Sequence, residues 1–222
     1  MSIAIAIDGP AGAGKSTISK AAAKRLGFIY IDTGALYRTV GLAASREGVD
    51  PGDAAAVDEL LGKIKVGLAF NEKGEQIVLL NGEDVSGLIR TPEASMMASK
   101  ISAVPAVRAF LLDLQRNMAD TDNVIMDGRD IGTVILPNAK VKIFLTAAPE
   151  ARAKRRYDEL IEKGMDVKYE DILEDVKQRD YNDMHRDIAP LKQADDAILA
   201  DTTEIDLEGS IDLIVKIIEE NA

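Results

Sequence analysis

Residues 9–17 read GPAGAGKST and begin one residue after the apolar run Ile3-Ala4-Ile5-Ala6-Ile7. Gly9, Gly14, Lys15 and Ser16 match the phosphate-binding spacing G-x-x-x-x-G-K-[ST]. The short apolar run reads as a buried strand, and Ser16–Leu26 opens as a helix, so the glycines lie between a strand and a helix N-terminus. Glycines let the backbone fold into a cup whose N–H groups point at phosphate oxygens, and the helix adds its positive end. Lys15 then reaches the outer phosphates of a nucleoside triphosphate, and the Ser16 hydroxyl holds Mg²⁺.

Outward from that loop, strand-like runs alternate with helical patterns. The expected strands are Phe28–Ile31, Val124–Met126, Val141–Leu145 and Ala197–Ala200. Helices are expected at Ala35–Glu47, Pro105–Ala119, Pro149–Lys163, Glu170–Asp183 and Leu207–Glu219. The expectation is an α/β fold: a P-loop-type, five-stranded parallel sheet with helices on both faces. Lys65–Arg90 breaks the rhythm. Val66–Phe70, Asn71-Glu72-Lys73-Gly74, Gln76–Leu80 and Asn81-Gly82 read as short strands joined by turns, a small antiparallel insert. Such an insert either pads the fold or covers a substrate, since ligands bind beyond the carboxyl ends of parallel strands.

The 222 residues fit one domain. We expect a core at 1–34, 105–150 and 190–222, an acceptor-binding region with the insert at 35–104, and a lid at 151–189. A net charge of −11 argues against a nucleic-acid or anionic-membrane surface, and 4% aromatic residues leave little for base stacking. Cysteine is absent, so disulfides and thiolate metal sites are excluded. No run has the length and apolarity of a membrane span. With no basic, apolar leader at the start, a cytoplasmic protein is expected. No exposed apolar stripe stands out, which favours a monomer.

Three classes of triphosphate binder compete. A GTPase would carry a late N/T-K-x-D segment, which is missing, and a mechanical ATPase would need an output domain. A small-molecule kinase needs a second anion site, because charge spreads over the transferred phosphoryl oxygens and cations must converge on it. Arg38, Arg108, Arg129, Arg152, Arg155, Arg156, Arg179 and Arg186 are available. Arg152, Arg155 and Arg156 share one helix face by spacing, though a solvated face paired with Asp158, Glu159 and Glu162 reads equally well. Arg129 lies in Asp127-Gly128-Arg129-Asp130, directly after a core strand, where sites form. Asp127 is there a candidate Mg²⁺ anchor, against the alternative of a turn or cap aspartate for Asp127 and Asp130. His185, the single histidine, reads as incidental.

Taken together, IDGPAGAGKST (7–17), DTGALYR (32–38), NGEDVSGLIRT (81–91), DGRDIGTVILP (127–137), KIFLTA (142–147) and RDYNDMHRDIAPL (179–191) resemble the bacterial cytidylate kinase family, within the nucleoside monophosphate kinase superfamily. The resemblance covers essentially the whole chain. It implies transfer of the γ-phosphate of ATP, with Mg²⁺, to the substrates CMP or dCMP in pyrimidine nucleotide metabolism. It implies that Gly9, Pro10, Ala11, Gly12, Ala13, Gly14, Lys15, Ser16 and Thr17 hold the ATP phosphates. Thr33, Arg38 and Arg129 would surround the acceptor phosphate, with Tyr37 lining that pocket or packing in the core. Ser99, Arg108 and Asp130 would read cytosine. Arg179 and Asp183 would hold the ribose, Arg186 would bridge the reacting phosphates, and Arg155 and Arg156 would belong to a lid closing over ATP. Lys15, Arg129, Arg155 and Arg186 would be the catalytic cations, and Ser16 and Asp127 the metal-side residues. Two departures are visible. Thr33 stands where serine is frequent, keeping the hydroxyl, and Ser16 occupies a position that varies in the family. Closure of residues 152–165 about Gly164, with movement of 35–60 and the insert, is expected to keep water from ATP.

Overall fold

The structure, a computed structural model, describes residues 2–71 and 76–222. In chain order its elements are β1 (Ala4–Asp8), α1 (Lys15–Leu26), β2 (Ile29–Asp32), α2 (Thr33–Glu47), α3 (Ala54–Lys63), β3 (Val66–Phe70), β4 (Gln76–Leu80), β5 (Glu83–Asp84), α4 (Pro92–Ile101), α5 (Pro105–Thr121), β6 (Val124–Gly128), a π-helical turn (Ile131–Ile135), β7 (Val141–Thr146), α6 (Pro149–Glu162), α7 (Tyr169–His185), β8 (Ile198–Asp201) and α8 (Leu207–Asn221). Two compact units form, one from the residues up to Tyr30 with Asp122–Ala222, the other from Ile31–Thr121.

The first unit is built on the five-stranded sheet, in the order β2-β6-β1-β7-β8. β1 pairs in parallel with β6 and β7, and β7 with β8. The fold expectation therefore holds. β1 is central because Ile5, Ala6 and Ile7 are all fully buried, as a strand covered on both faces demands. Against it pack Ile18, Ala22 and Ala23 of α1 with Ile211, Ile214 and Ile218 of α8. The chain winds away from β1 on one side and returns to the other through β7. This reversal opens a crevice at the carboxyl end of β1, where the glycine-rich loop begins. α6 and α7 form a helical hairpin with their own small core of Ala153, Leu160 and Ile172. Gly164 ends α6: its φ is 74°, and Met165 N–H returns to the Leu160 carbonyl at 3.0 Å.

The second unit holds the antiparallel insert, β3-β4-β5, over a core that includes Leu36, Val40, Val57, Leu60, Ile101 and Leu111. Asn81 (φ 51°) and Gly82 (φ 88°) are both left-handed, as a two-residue hairpin turn requires. Of the expected earlier turn, Glu72, Lys73 and Gly74 lie outside the described residues. α3 and α4 are additions to the expected helices. Asp53 caps the first, accepting from Ala56 N–H at 3.1 Å, and Thr91 caps the second, accepting from Ala94 N–H at 3.1 Å. No single helix among the described residues is long and apolar enough to cross a membrane.

Candidate functional site

The loop between β1 and α1 is fixed from below. A Cβ on Gly9 would stand 1.9 Å from the Leu145 carbonyl oxygen of β7, so only glycine lets the loop approach that strand. Gly14 is left-handed at the cap of α1, which turns the chain directly into the helix. Lys15, the first residue of α1, is buried and donates from Nζ to the Pro10 carbonyl at 2.7 Å. Burial holds the Lys15 ammonium well below its ordinary pKa, and the Arg129 charge adds to this. Asp127, Asp183 and Asp8 pull the other way. Ser16 Oγ donates to Asp127 Oδ2 at 3.0 Å, and Tyr30 Oη to Asp127 Oδ1 at 3.0 Å. The hydroxyl expected at the metal and the carboxylate expected behind it are thus neighbours.

Asp127 lies near the end of β6, and the chain leaves the sheet through Arg129. Arg129 Nε donates to Asp183 Oδ2 of α7 at 2.8 Å. Burial opposes ionisation of Asp183, but Arg129, Arg179 and Arg186 outweigh it and hold that carboxyl below its usual range. Arg186 Nη2 lies 3.5 Å from Asp130 Oδ1, and its Nε donates to the Ala189 carbonyl at 2.7 Å. Lys15, Asp127, Arg129, Asp130, Arg179, Asp183 and Arg186 therefore belong to one charged cluster within the first unit. Its hub includes a residue that the spacing argument passed over, Asp8. Asp8 accepts from Ile131 N–H at 2.7 Å and Gly132 N–H at 2.8 Å, fixing the turn that follows Asp130. Burial raises its pKa to about 6 against those two hydrogen bonds. The sequence signal was its place beside Gly9 in the quoted motif.

The three arginines of α6 have separate partners. Arg152 is buried against Asp180 of α7. Arg155 Nη2 donates to the Thr202 carbonyl at 2.6 Å. Arg156 pairs with Glu159 at 2.8 Å, the solvated arrangement weighed above. His185 is exposed at the end of α7 and stacks on Tyr181 with ring centroids 4.1 Å apart.

In the second unit, Thr33 is buried at the start of α2, whose cap is Asp32. Asp32 accepts from Ala35 N–H at 3.0 Å and from Arg38 Nη2 at 2.7 Å, so one carboxylate both starts the helix and aims the arginine. The Arg108 guanidinium lies 5.7 Å from the centre of the buried Tyr37 ring and donates to the Ser102 carbonyl at 3.2 Å. The Ser99 carbonyl accepts from Ser102 Oγ at 3.0 Å. Arg38 with Asp32, and Tyr37 with Arg108, are thus two pairs along α2.

Comparison with known proteins gives consistent matches. The family described as cytidylate kinase matches residues 5–220. A cytidylate kinase of Caldicellulosiruptor bescii is 51% identical over 97% of this chain and 95% of its own. One from Carboxydothermus hydrogenoformans is 48% identical over 96% of each chain. Among solved structures, an uncharacterized protein from Eubacterium ventriosum matches over 98% of each chain with a TM-score of 0.50 and 14% identity, a likeness of fold alone.

Proposed function

The chain belongs to the cytidylate kinase family and is an ATP-dependent phosphotransferase, and we propose that its acceptor is CMP or dCMP, yielding ADP with CDP or dCDP. The observation that carries the reading is the gathering of Lys15, Arg129, Arg179 and Arg186 around Asp183 beside the glycine-rich loop. A monophosphate oxygen attacks the γ-phosphorus of ATP. The new O–P bond forms as the bond to the bridging oxygen breaks, and the electron pair leaves with ADP. The attacking oxygen is already ionised at neutral pH, so the step asks for positioning and cations rather than a strong base. The exposed, stacked position of His185 accords with that demand.

Each group has a task in this scheme. Loop amides orient the triphosphate. Lys15, held below its ordinary pKa by burial and Arg129, regains its charge advantage when phosphate oxygens arrive. Arg129 and Arg186 carry charge on the transferring group, while Asp183 keeps Arg129 in one orientation. Thr33, Arg38 and Tyr37 would receive the acceptor phosphate. Ser99, Arg108 and Asp130 would receive cytosine, whose exocyclic amine suits a carboxylate and whose competitor, uracil, presents a carbonyl there. Arg179 and Asp183 would meet the ribose, and Arg155 and Arg156 the ATP side. Ser16 and Asp127 fit Mg²⁺, a hard cation that takes a hydroxyl and a carboxylate together with phosphate oxygens. Bound there, the ion would offset phosphate charge.

The test is an acceptor panel. The protein with ATP and Mg²⁺ is offered CMP, dCMP, UMP, AMP and GMP, and ADP is measured. Rapid ADP formation with CMP and dCMP is expected. No transfer to any monophosphate, or faster transfer to AMP or GMP, overturns the reading.

A further inference from the structure

We infer that Arg152 and Asp180 are positioning residues that preset the glycine-rich loop for the triphosphate, an inference that rests on the nucleotide-binding reading above. Arg152 is 2% exposed, too deep to act as a lid cation. Its guanidinium joins three segments. Nε donates to the Ala147 carbonyl between β7 and α6 at 2.8 Å. Nη1 donates to the Ala11 carbonyl of the loop at 2.8 Å and to Asp180 Oδ1 at 3.0 Å. Nη2 donates to Asp180 Oδ2 at 2.5 Å. A charge buried this deeply is tolerated only when so fully paired.

The Ala11 contact is the informative one. A peptide unit is planar and trans, so its carbonyl and the following N–H point in opposite directions. Holding the Ala11 oxygen toward Arg152 turns the Gly12 N–H away from α6. Gly12 sits at φ 74°, a conformation from which a glycine peptide flips readily. The Arg152 stem also lines Gly12, where an added Cβ would stand 3.6 Å from the Arg152 Cβ. The guanidinium therefore blocks the flip that would replace an inward donor with a carbonyl oxygen, which repels phosphate. Asp180 keeps the guanidinium in plane and, with the Arg129–Asp183 pair three residues on, ties α7 to the same core. The base of the α6–α7 hairpin is thus anchored, and any closure belongs to its outer part.

The experiment compares wild type with Arg152→Met and Asp180→Asn. ATP binding is read by calorimetry, KM for ATP and for CMP and kcat by steady-state kinetics, and folding by circular dichroism. Arg152→Met should weaken ATP binding and raise KM for ATP about tenfold or more, the scale of one lost charged hydrogen bond. KM for CMP should stay within about twofold, and kcat should fall far less than KM for ATP rises. Asp180→Asn, which keeps shape and one acceptor, should give a smaller shift in the same sense. Unchanged ATP affinity in both folded variants overturns the inference. So does an equal rise in both KM values, which would mark a general loosening. If wild type itself does not bind ATP, the nucleotide reading fails instead.

Discussion

Asp8 offers a stability measurement whose size follows from the structure. Burial raises its pKa from 3.8 to about 6, with Asp130 adding to the rise and the Ile131 and Gly132 amides and Lys15 opposing it. The folded protein therefore holds the Asp8 proton more tightly than the unfolded chain does. Between the two pKa values the native state carries more protons, so stability falls as pH rises through the window. A rise of that size corresponds to about 3 kcal/mol lost once pH exceeds the folded value. Roughly 2 kcal/mol of that loss falls between about pH 4.5 and pH 7.5. Other groups titrate in the same range, so the quantity to measure is the difference between wild type and Asp8→Asn in urea unfolding at each pH. Asparagine cannot ionise, and its carbonyl still accepts one of the two amides, so the variant loses the pH dependence while keeping the turn. Wild type should lose about 2 kcal/mol relative to the variant across the window. On a Lys15→Met background the loss should grow, because Lys15 lowers the Asp8 pKa. A difference that stays flat across the window, or one that rises with pH, refutes the reasoning.

The loop, the acceptor side and one exposed helix give further expected outcomes. Lys15→Met should cut turnover by about 10²-fold or more with the fold intact, the scale of losing one charge-stabilising donor, as read by ADP release and circular dichroism. Gly9→Ala should destabilise by about 3 kcal/mol or more in urea unfolding, because its Cβ would meet the Leu145 carbonyl. Gly62→Ala in α3, where a Cβ meets nothing within 4 Å, should instead stabilise by roughly 0.5–1 kcal/mol. Asp130→Ala should narrow the ratio of kcat/KM for CMP over UMP, and an unchanged ratio counts against its reading of cytosine.

What was legible in the sequence was local. β1, the loop and α1 announce themselves because a β-branched run, spaced glycines and an apolar helix face lie in one unbroken stretch. The position of Arg129 was legible for a similar reason: it closely follows the apolar run Val124–Met126 of a core strand, and such strands end at sites. α3 and α4 were hidden because each buries little, Val57 and Leu60 in the first and Ala98 and Ile101 in the second, so no periodic stripe shows. Their caps, Asp53 and Thr91, were the available signal. The separation of Arg152 from Arg155 and Arg156 was not legible. Helical spacing puts the three on one side of α6, but only the arrival of α7 with Asp180 decides which guanidinium is buried. Asp8 stood in the motif beside Gly9, but nothing in the chain near it reveals that the amides of Ile131 and Gly132 will cap it.

Ala189 carries a wider consequence. It adopts φ 48°, a region that alanine disfavours, immediately before Pro190, and its carbonyl receives Arg186 Nε. Such a residue stores roughly 1–3 kcal/mol of strain that the rest of the fold must sustain. Selection for heat resistance alone would relax this corner, and the slack would reach the Arg186 guanidinium and its approach to Asp130. Durability and the aim of one guanidinium thus meet at one peptide unit, and engineering that raises the melting point should leave it alone.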